Sequence, residues 1–487
     1  MKILFICDWD YSLLWHPIAK KLKENGVASE CVALVVGRNF YNDLIHKKDG
    51  VFDTIYLMQD EVMKEPPELS GIDARLSKLE EIYNESTLWR FVWADRSWVK
   101  CRFDEIKKRL IVCFDFFERL YLTEKPGLVL ANAYASMPHL ISYEVVKKHG
   151  IPILRPMSVR LEDRYIISDN AMEEEAWIKD YLTGNKNVSV DTRAEVERFV
   201  NEYRKNAKMP AYQVLRAKEH QVTLGHLFRF IRYMYRYWFN SSLQGDHSKA
   251  NPFRRLCSEV TWRIRRAYWI RPKCWDVYDS AERYVYFPLH VQPEMSTMTF
   301  APFYLDQLSV LENLSKSLPT NCRLVVKEHP SMLGRRKASY YERIRSLPNV
   351  RFVHPLTDSF MIIKKAAAIF TITGTVGLEG LIMQKPVIVL GSTYYRYCPL
   401  VIDAMNVAPT GWSKLVSHAL GEYKHDEEIL VTFLGAVFER SFQGIYVEPL
   451  AALDQVLAEK NLDKLIEQIN SFIKSPLDYT KDINGYS

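Results

Sequence analysis

Five short apolar runs in the second half of the sequence are each followed directly by polar residues that could bind a ligand. Those polar residues are His290–Glu294, Lys327–Pro330, His354–Asp358, Thr373–Thr375 and Gly391–Tyr395. Ligands of parallel α/β domains bind at the carboxyl ends of the strands, so these strand ends together predict a binding site. The hydroxyls, histidines and turn backbone found there are hydrogen-bond donors of the kind that hold a phosphate.

The run Thr373–Gly374–Thr375 lies between a predicted strand and a predicted helix. Free N–H groups and the helix dipole favour an anion at such a turn. An ordinary strand–helix turn with a threonine N-cap would have the same sequence pattern. Glu379, one turn into the helix, either faces inward to accept ribose hydroxyls or is a solvated helix acid. The sequence contains neither G-x-G-x-x-G nor G-K-[ST], which excludes the dinucleotide fingerprint and the P-loop.

Lys327, His329 and Pro330 end the second of these strands, where a histidine fixed by a proline can donate to a phosphate or a carboxylate. The alternative is a partly buried structural histidine. After the third strand, His354 is interpreted as structural, and the backbone from Leu356 onwards as a ledge for a nucleobase.

Strand and helix signals alternate on both sides of a long basic segment, which predicts βαβ units and parallel sheets. The predicted strands are at 2–7, 31–36, 128–131 and 151–154, and then at 284–289, 323–327, 350–353, 368–371 and 386–390. The predicted domains are an N-terminal Rossmann-like domain at 1–190, a basic aromatic helical linker at 191–280, a C-terminal Rossmann-like domain at 281–449, and a helix and tail at 450–487.

The segment 204–273 contains sixteen Lys or Arg residues and three acids, so its local charge is +13 while the rest of the chain carries −7. Aromatic residues are interleaved with the arginines. Three interpretations stay open: a face for an anionic membrane surface, a nucleic-acid site, and aromatic packing between domains. The nucleic-acid interpretation is the least favoured.

The composition is that of a globular protein, with 48% apolar and 25% charged residues, which excludes wholesale disorder. The eight cysteines are scattered without metal-site spacing, which predicts reduced thiols in the cytoplasm. We expect no signal peptide and no membrane-spanning helix, because no apolar stretch is long enough.

The run Tyr286–Tyr395 resembles the C-terminal domain of bacterial capsule and surface-polysaccharide glycosyltransferases of the GT-B fold. The closest group is the capsular polysaccharide synthesis proteins, which include Kdo transferases. The matching pieces are Gln292–Pro293, Lys327–Pro330, the Thr373–Thr375 turn with Glu379, Lys385–Ile388, and Gly391 with the tyrosine pair Tyr394 and Tyr395. The resemblance implies two doubly wound domains facing across a cleft, and transfer of a sugar from a nucleotide-activated, CMP-linked and Kdo-like donor to a surface or capsular glycan.

In such an enzyme the nucleotide-sugar is a substrate, and no cofactor is expected. The resemblance assigns donor binding to Gln292, Lys327, His329, Pro330, Leu356, Thr373, Gly374, Thr375 and Glu379. The expected partners are this donor, a free or lipid-linked glycan acceptor, and an anionic membrane surface reached through 204–273. No nucleic-acid partner is expected. The protein is expected in the cytoplasm, peripheral at the inner face of the membrane.

Transfer also needs a base, which we expect among carboxylates at strand ends of the N-terminal domain. The candidates are Asp8, Asp10, Glu162 and Asp163, with His16, Asn132, Arg155, Arg160 and Arg164 as candidates for acceptor binding. Each could instead be a turn residue, a cap or an ion-pair partner. Asp8–Trp9–Asp10 fits the pattern D-x-D, but it follows the very first strand, too early for a GT-A metal site. We therefore predict transfer without a metal ion.

Two alternatives share these features. A CDP-glycerol or other polyol-phosphate transferase would retain a phosphate in its product. A non-catalytic scaffold of a polysaccharide assembly complex would have the donor-site turns but no carboxylate whose loss matters.

Overall fold

The computed structural model describes residues 1–8, 11–64, 71–184, 188–206, six positions between 231 and 239, 252–446 and 453–474. The candidate base Asp10 and much of the basic segment lie outside these residues. The chain divides into two compact units, one formed by 1–186 with 436–487 and the other by 187–435. Each unit contains a largely parallel sheet, so the predicted α/β class with two Rossmann-like domains is confirmed. The domain limits given above stay predictions.

The strands follow in chain order. They are β1 (Lys2–Cys7), β2 (Glu30–Val35), β3 (Thr54–Leu57), β4 (Leu128–Leu130), β5 (Ile153–Ser158), β6 (Arg164–Ser168), β7 (Tyr284–Pro288), β8 (Arg323–Lys327), β9 (Val350–Val353), β10 (Ala368–Thr371), β11 (Val387–Val389), β12 (Val401–Asp403) and β13 (Phe442–Gln443).

The described helices are α1 (Tyr11–Glu24), α2 (Arg38–Lys47), α3 (Met58–Val62), α4 (Ile72–Ile82), α5 (Trp89–Trp93), α6 (Phe103–Glu124), α7 (Met137–Lys148), α8 (Trp177–Thr183), α9 (Val190–Asn206), α10 (Pro252–Trp269), α11 (Met295–Met298), α12 (Gln307–Ser317), α13 (Ala338–Arg345), α14 (Ser359–Lys365), α15 (Thr375–Ile382), α16 (Trp412–Gly421), α17 (Glu427–Arg440), α18 (Leu453–Val456) and α19 (Glu459–Lys474). Within the described ranges, none of them has the length and apolarity that crossing a bilayer requires.

The sheet of the first unit has the order β13-β6-β5-β4-β1-β2-β3. β1 pairs in parallel with β2 on one side and with β4 on the other, with Phe5 opposite Leu130. The chain thus runs outward to β3 and restarts beside β1 at β4. This reversal is the topological switch point of a doubly wound sheet, at which ligands bind.

The sheet of the second unit has the order β12-β11-β10-β7-β8-β9, and its strands pair in parallel throughout. The chain runs outward from β7 to β9 and restarts beside β7 at β10. The switch point therefore lies between β7 and β10, and all five strand ends named from the sequence stand at one edge of the sheet.

The continuous apolar strands reflect burial on both faces. Leu4 and Ile6 of β1 enter one core, whereas Ile3 and Phe5 enter the core on the opposite face. This is the pattern of a parallel sheet covered by helices on both sides. The second of these cores also contains apolar residues of α19, so the tail helix packs in the first unit.

Two predicted elements differ in extent. The strand expected at 151–154 continues to Ser158 and turns back as β6, an antiparallel partner that the sequence analysis missed. Arg-Pro-Met-Ser has no strand pattern of its own and is held there by pairing with β6, so Arg155 lies inside a strand rather than after it. The apolar spacing over 301–318 predicts one helix, but α12 begins only at Gln307, where the side chain of Asp306 caps it by accepting from the N–H of Leu308.

Candidate functional site

The ends of β7 and β10 meet at the switch point of the second unit. Nε2 of His290 accepts a hydrogen bond from the backbone N–H of Thr373 at 3.2 Å. Oγ1 of Thr373 donates to the carbonyl of Ser296 at 2.8 Å. Two of the predicted polar strand ends are therefore in direct contact, and the bond to Ser296 connects α11 to them.

Two buried side chains that the sequence analysis did not single out, Gln307 and Arg336, hold the end of β7. Gln307 accepts from the N–H of His290 at 2.7 Å and donates to its carbonyl at 3.2 Å. Nη2 of Arg336 donates to the same carbonyl at 2.7 Å. The amide of Gln292 donates to the carbonyl of Leu305 at 2.5 Å, so this predicted donor-binding side chain also serves the loop's own structure. Neither Gln307 nor Arg336 stands in a recognisable motif, and only the fold identifies them.

Arg336 also joins this loop to the end of β8. Its Nε donates to Oε2 of Glu328 at 2.8 Å, and the Glu328 side chain is fully buried. Burial raises the pKa of the Glu328 carboxyl, and the guanidinium of Arg336 opposes that rise. Glu328 further accepts from the backbone N–H of His329 at 2.7 Å. A buried ion pair between Glu328 and Arg336 therefore stabilises the Lys-Glu-His-Pro loop.

The half-buried His329 has a defined tautomer. Its Nδ1 accepts from the backbone N–H of Ser331 at 3.2 Å, and Pro330 begins a short 3-10 turn there. Since Nδ1 is an acceptor, the neutral ring has its proton on Nε2. This is the form that donates a hydrogen bond to an anion.

The Thr373–Thr375 turn leads directly into α15. The N–H of Gly374 donates to Oγ1 of Thr371 at 3.2 Å, and the hydroxyl of Tyr395 donates to the carbonyl of Gly374 at 2.5 Å. A Cβ on Gly377 would lie 2.5 Å from that hydroxyl, so only glycine allows Tyr395 to reach the turn. The half-buried Thr375 is the first residue of the helix, where N–H groups have no intrahelical acceptor.

Lys327, at the end of β8, and Glu379, in α15, are ionisable side chains whose charges interact. Nζ of Lys327 donates to Oγ of Ser359 at 2.5 Å. Burial lowers the pKa of Lys327 to about 8, although Asp358 and Glu379 oppose the shift. Burial likewise raises the pKa of Glu379 to about 7, opposed by Lys327. Glu379 is therefore not a fully solvated helix acid, and both side chains change charge near neutral pH.

In the loop after β9, His354 has the structural role that the sequence analysis gave it. Its Nε2 lies 3.0 Å from the carbonyl of Ile270, and its Nδ1 accepts from the N–H of Leu356 at 3.1 Å. The ring therefore ties the end of α10 to this loop. The side chain of Leu356 is exposed, and its role as a nucleobase ledge stays a prediction.

In the first unit, Asp8 follows β1 at the switch point, buried and next to the start of α1. Its Oδ2 lies 3.5 Å from Nε2 of His139, near the start of α7. Nδ1 of His139 lies 2.5 Å from Oγ of Ser136. Burial lowers the pKa of His139 to about 4, so the ring is neutral at pH 7 beside the carboxylate. The sequence predicts a helix over 138–149 that contains His139, and nothing around this residue marked it as a candidate.

Several buried polar atoms around this switch point have no hydrogen-bond partner in the described part of the chain. They include both side-chain atoms of Asn132, Nη2 of Arg155 and Oγ of Ser12. Asn132 follows β4, and Arg155 lies in β5 beside it. Buried polar groups are normally hydrogen-bonded, so a cluster of buried polar atoms without partners near strand ends is typical of a ligand site. The structure thus places three of the predicted residues, Asp8, Asn132 and Arg155, on adjacent strands.

The other candidates of this unit lie elsewhere. Glu162 and Asp163 are exposed on the turn between β5 and β6, beside Gln443 and Asn461. His16 pairs with Asp49 at 2.8 Å. Arg160 pairs with Glu173 at 3.0 Å, and Arg164 lies over the ring of Phe438 at 4.2 Å and donates to Ser441. The proposed roles of these side chains stay predictions.

A metal-binding group is not found among the described residues, where no three His, Cys, Asp or Glu side chains come together. Because Asp10 lies outside those residues, transfer without a metal ion stays a prediction.

Comparison with known proteins matches residues 231–408 to a family described as capsule polysaccharide biosynthesis protein. The predicted resemblance is therefore confirmed over this part of the second unit. Protein FixF of Sinorhizobium fredii is 28% identical over 183 residues, which are 36% of this chain and 42% of FixF. The chain thus spans less than half the length of that curated relative.

Two solved structures of KpsC from Thermosulfurimonas dismutans are also similar. One is titled beta Kdo 2,7 transferase, with 12% identity, 77% of this chain and 98% of that chain covered, and a TM-score of 0.38. The other is titled beta Kdo 2,4 transferase, with 15% identity, 64% and 80% covered, and a TM-score of 0.37.

Proposed function

We propose that this chain, which resembles capsule polysaccharide biosynthesis proteins through its second unit, is a glycosyltransferase that moves a sugar from a nucleotide-activated donor to a surface or capsular glycan. The observation that supports this most is the polar cluster at the switch point of the second unit, where His290, Thr373 and the Lys-Glu-His-Pro loop meet. Such a crevice is where doubly wound domains bind nucleotides.

In this proposal the second unit binds the donor. The Nε2–H of His329 and the N–H groups at the start of α15 bind the donor phosphate, with Thr375 as a further donor. Glu379 accepts ribose hydroxyls. We propose a CMP-linked, Kdo-like donor because the motifs of this unit resemble those of CMP-dependent enzymes.

The first unit supplies the base. Asp8 accepts the proton of an acceptor hydroxyl as its oxygen attacks the anomeric carbon, and the nucleotide leaves with its phosphate. Neutral His139 orients the Asp8 carboxylate. Asn132 and Arg155 bind the acceptor, a free or lipid-linked glycan. We place the protein in the cytoplasm, at the inner face of the membrane, and propose that it needs no metal ion.

The experiment is a thermal-shift screen against CMP, CDP, UMP, UDP, GDP and ADP, with Mg²⁺ or with EDTA. A ligand that binds only the folded state raises the Tm by mass action. We expect CMP to raise it selectively and equally in EDTA. A rise in Tm with UDP or GDP alone would overturn the CMP assignment. If none of the nucleotides raises the Tm, the non-catalytic scaffold is favoured. Phosphate retained in the product would instead indicate a polyol-phosphate transferase.

The affinity for nucleotide should fall as the pH rises from 6 to 9. At pH 6 the Glu379 carboxyl, with its pKa raised to about 7, is mostly protonated and Lys327 is charged. At pH 9 Glu379 is ionised and Lys327, with its pKa lowered to about 8, is mostly neutral. The pair becomes more negative beside a phosphate, so we expect a loss of about tenfold in affinity, measured by isothermal titration.

The phosphate of the nucleotide also titrates in this pH range, and it does so equally with wild type and with Glu379→Gln. Comparing the affinities of the two proteins at each pH therefore isolates the effect of Glu379. Because its side chain does not titrate, this variant should lose less affinity than the wild type between pH 6 and pH 9. Glu342→Gln, an exposed acid on α13, is the matched control and should follow the wild type. Parallel curves for Glu379→Gln and wild type would contradict the prediction.

A further inference from the structure

Helix α10 is attached to the second unit through one face. Trp262 and Trp269 on this face are buried, and Nε1 of Trp262 donates to the carbonyl of Leu333 at 2.9 Å. Gly334 lies so close that a Cβ there would be 2.5 Å from the backbone nitrogen of Arg266, and its φ of +80° also favours glycine. The guanidinium of Arg335 covers the Trp262 ring at 4.4 Å.

The opposite face of α10 is apolar and faces solvent. Leu256, Val260, Ile264 and Tyr268 follow one another at four-residue intervals, which places them in one stripe along the helix. Their side chains are 41%, 48%, 66% and 51% exposed. An amphipathic helix normally has one apolar stripe, directed at its core. This helix has a second one, on the side away from Trp262.

Positive charge borders the exposed stripe. α10 carries five arginines and one acid, Glu259. At 3.6 residues per turn, Arg254 and Arg265 flank the stripe on one side and Arg263 on the other. This is the arrangement of a helix that lies in a membrane interface, with apolar side chains directed at the acyl boundary and arginines at anionic headgroups.

A second group of exposed apolar residues adjoins it. Among the described positions between 231 and 239, Ile231, Tyr235, Trp238 and Phe239 are exposed. The ring of Trp238 contacts that of Phe253, at the start of α10, with centroids 6.0 Å apart. Trp and Tyr side chains are favoured at the headgroup level of a bilayer.

We propose that the Leu256–Tyr268 stripe of α10 docks on an anionic lipid surface. A second copy of the chain fits this face less well, because pairing two such helices would bring their arginines together. A nucleic acid fits less well too, because the stripe offers three aliphatic side chains that cannot stack on bases. The inference does not depend on the proposed donor or reaction.

The test is flotation of the full chain with vesicles of phosphatidylglycerol and phosphatidylcholine, compared with vesicles of phosphatidylcholine alone. We expect binding to the anionic vesicles only, and weaker binding at high salt. The double variant Val260→Asp/Ile264→Asp should bind at least about tenfold less, because it places two acids in the interface. Its Tm should equal that of the wild type, since both side chains are exposed.

The matched control is Val190→Asp/Val277→Asp, which makes the same charge change at two valines that are each 84% exposed outside α10. It should bind vesicles like the wild type. Equal loss in both double variants, or no binding of the wild type to anionic vesicles, would overturn the proposal. A dimer in light scattering that only the α10 variant dissociates would also overturn it, in favour of a self-interface. CMP binding measured on the same variants should be unchanged, which separates this result from the donor assignment.

Discussion

Replacing Asp8 with asparagine should lower the rate of sugar transfer by about 10²- to 10⁴-fold, the range typical of losing a general base. Asparagine keeps the size of the side chain but accepts no proton. Asp8 is buried at the end of β1, with its Oδ2 3.5 Å from Nε2 of the neutral His139. The rate is measured as incorporation of labelled sugar into a polysaccharide-containing membrane fraction, with the donor whose nucleotide the thermal-shift screen selects.

Nucleotide binding separates a catalytic loss from a folding defect. The nucleotide-induced rise in Tm of Asp8→Asn should equal that of the wild type, because the proposed nucleotide site lies in the second unit. Asp43→Asn, an exposed acid on α2 of the same unit, is the control and should transfer sugar normally. If Asp8→Asn stays within about twofold of the wild type, Asp8 is not the base. Asp10 is then the next residue to replace.

Replacing His329 with alanine should weaken nucleotide binding by about tenfold to a hundredfold. In the proposed site, the tautomer with the proton on Nε2 donates to the phosphate, and a hydrogen bond to a charged group contributes about 1.5–3 kcal/mol. Thr375→Ala should have a smaller effect in the same direction, since the backbone N–H groups of the helix start remain. Isothermal titration with the nucleotide found in the screen measures both.

His418→Ala is the matched control, a histidine exposed on α16 of the same unit. It should bind nucleotide like the wild type. The Tm of ligand-free His329→Ala should stay close to that of the wild type, because Glu328 and Arg336 hold the loop independently of the imidazole. Unchanged affinity in both His329→Ala and Thr375→Ala would exclude the donor site proposed here.

The strands of both sheets were largely predictable because parallel strands buried on two faces are continuous apolar runs. β1 is predicted at its observed limits, and β8, β9 and β10 likewise. The hairpin β5–β6 was not predictable from local pattern, since Arg155–Ser158 is strand only through its pairing with β6. In the same way, the side chain of Asp306 caps α12, so the helix begins later than its apolar periodicity predicts. Periodicity alone does not show which residue will act as the cap.

The candidate donor residues shared a visible signal, because each follows a strand. Gln307, Arg336 and His139 had none, since they lie in helices or loops and do not directly follow a strand. His290 was visible only as part of a polar strand end, and its bond to Thr373 follows from β7 and β10 being neighbours. Strand order depends on the path of the whole chain, so such partners emerge only with the topology.

The close packing of Gly334 on α10 has a thermodynamic consequence. The loop that receives Trp262 at Leu333 continues within three residues to Arg336, which anchors both His290 and Glu328. If a nucleotide bound beside this loop changes the affinity of α10 for lipid, lipid must change the affinity for that nucleotide by the same factor. Two measurements, nucleotide affinity with and without vesicles and vesicle affinity with and without nucleotide, would therefore give one coupling constant.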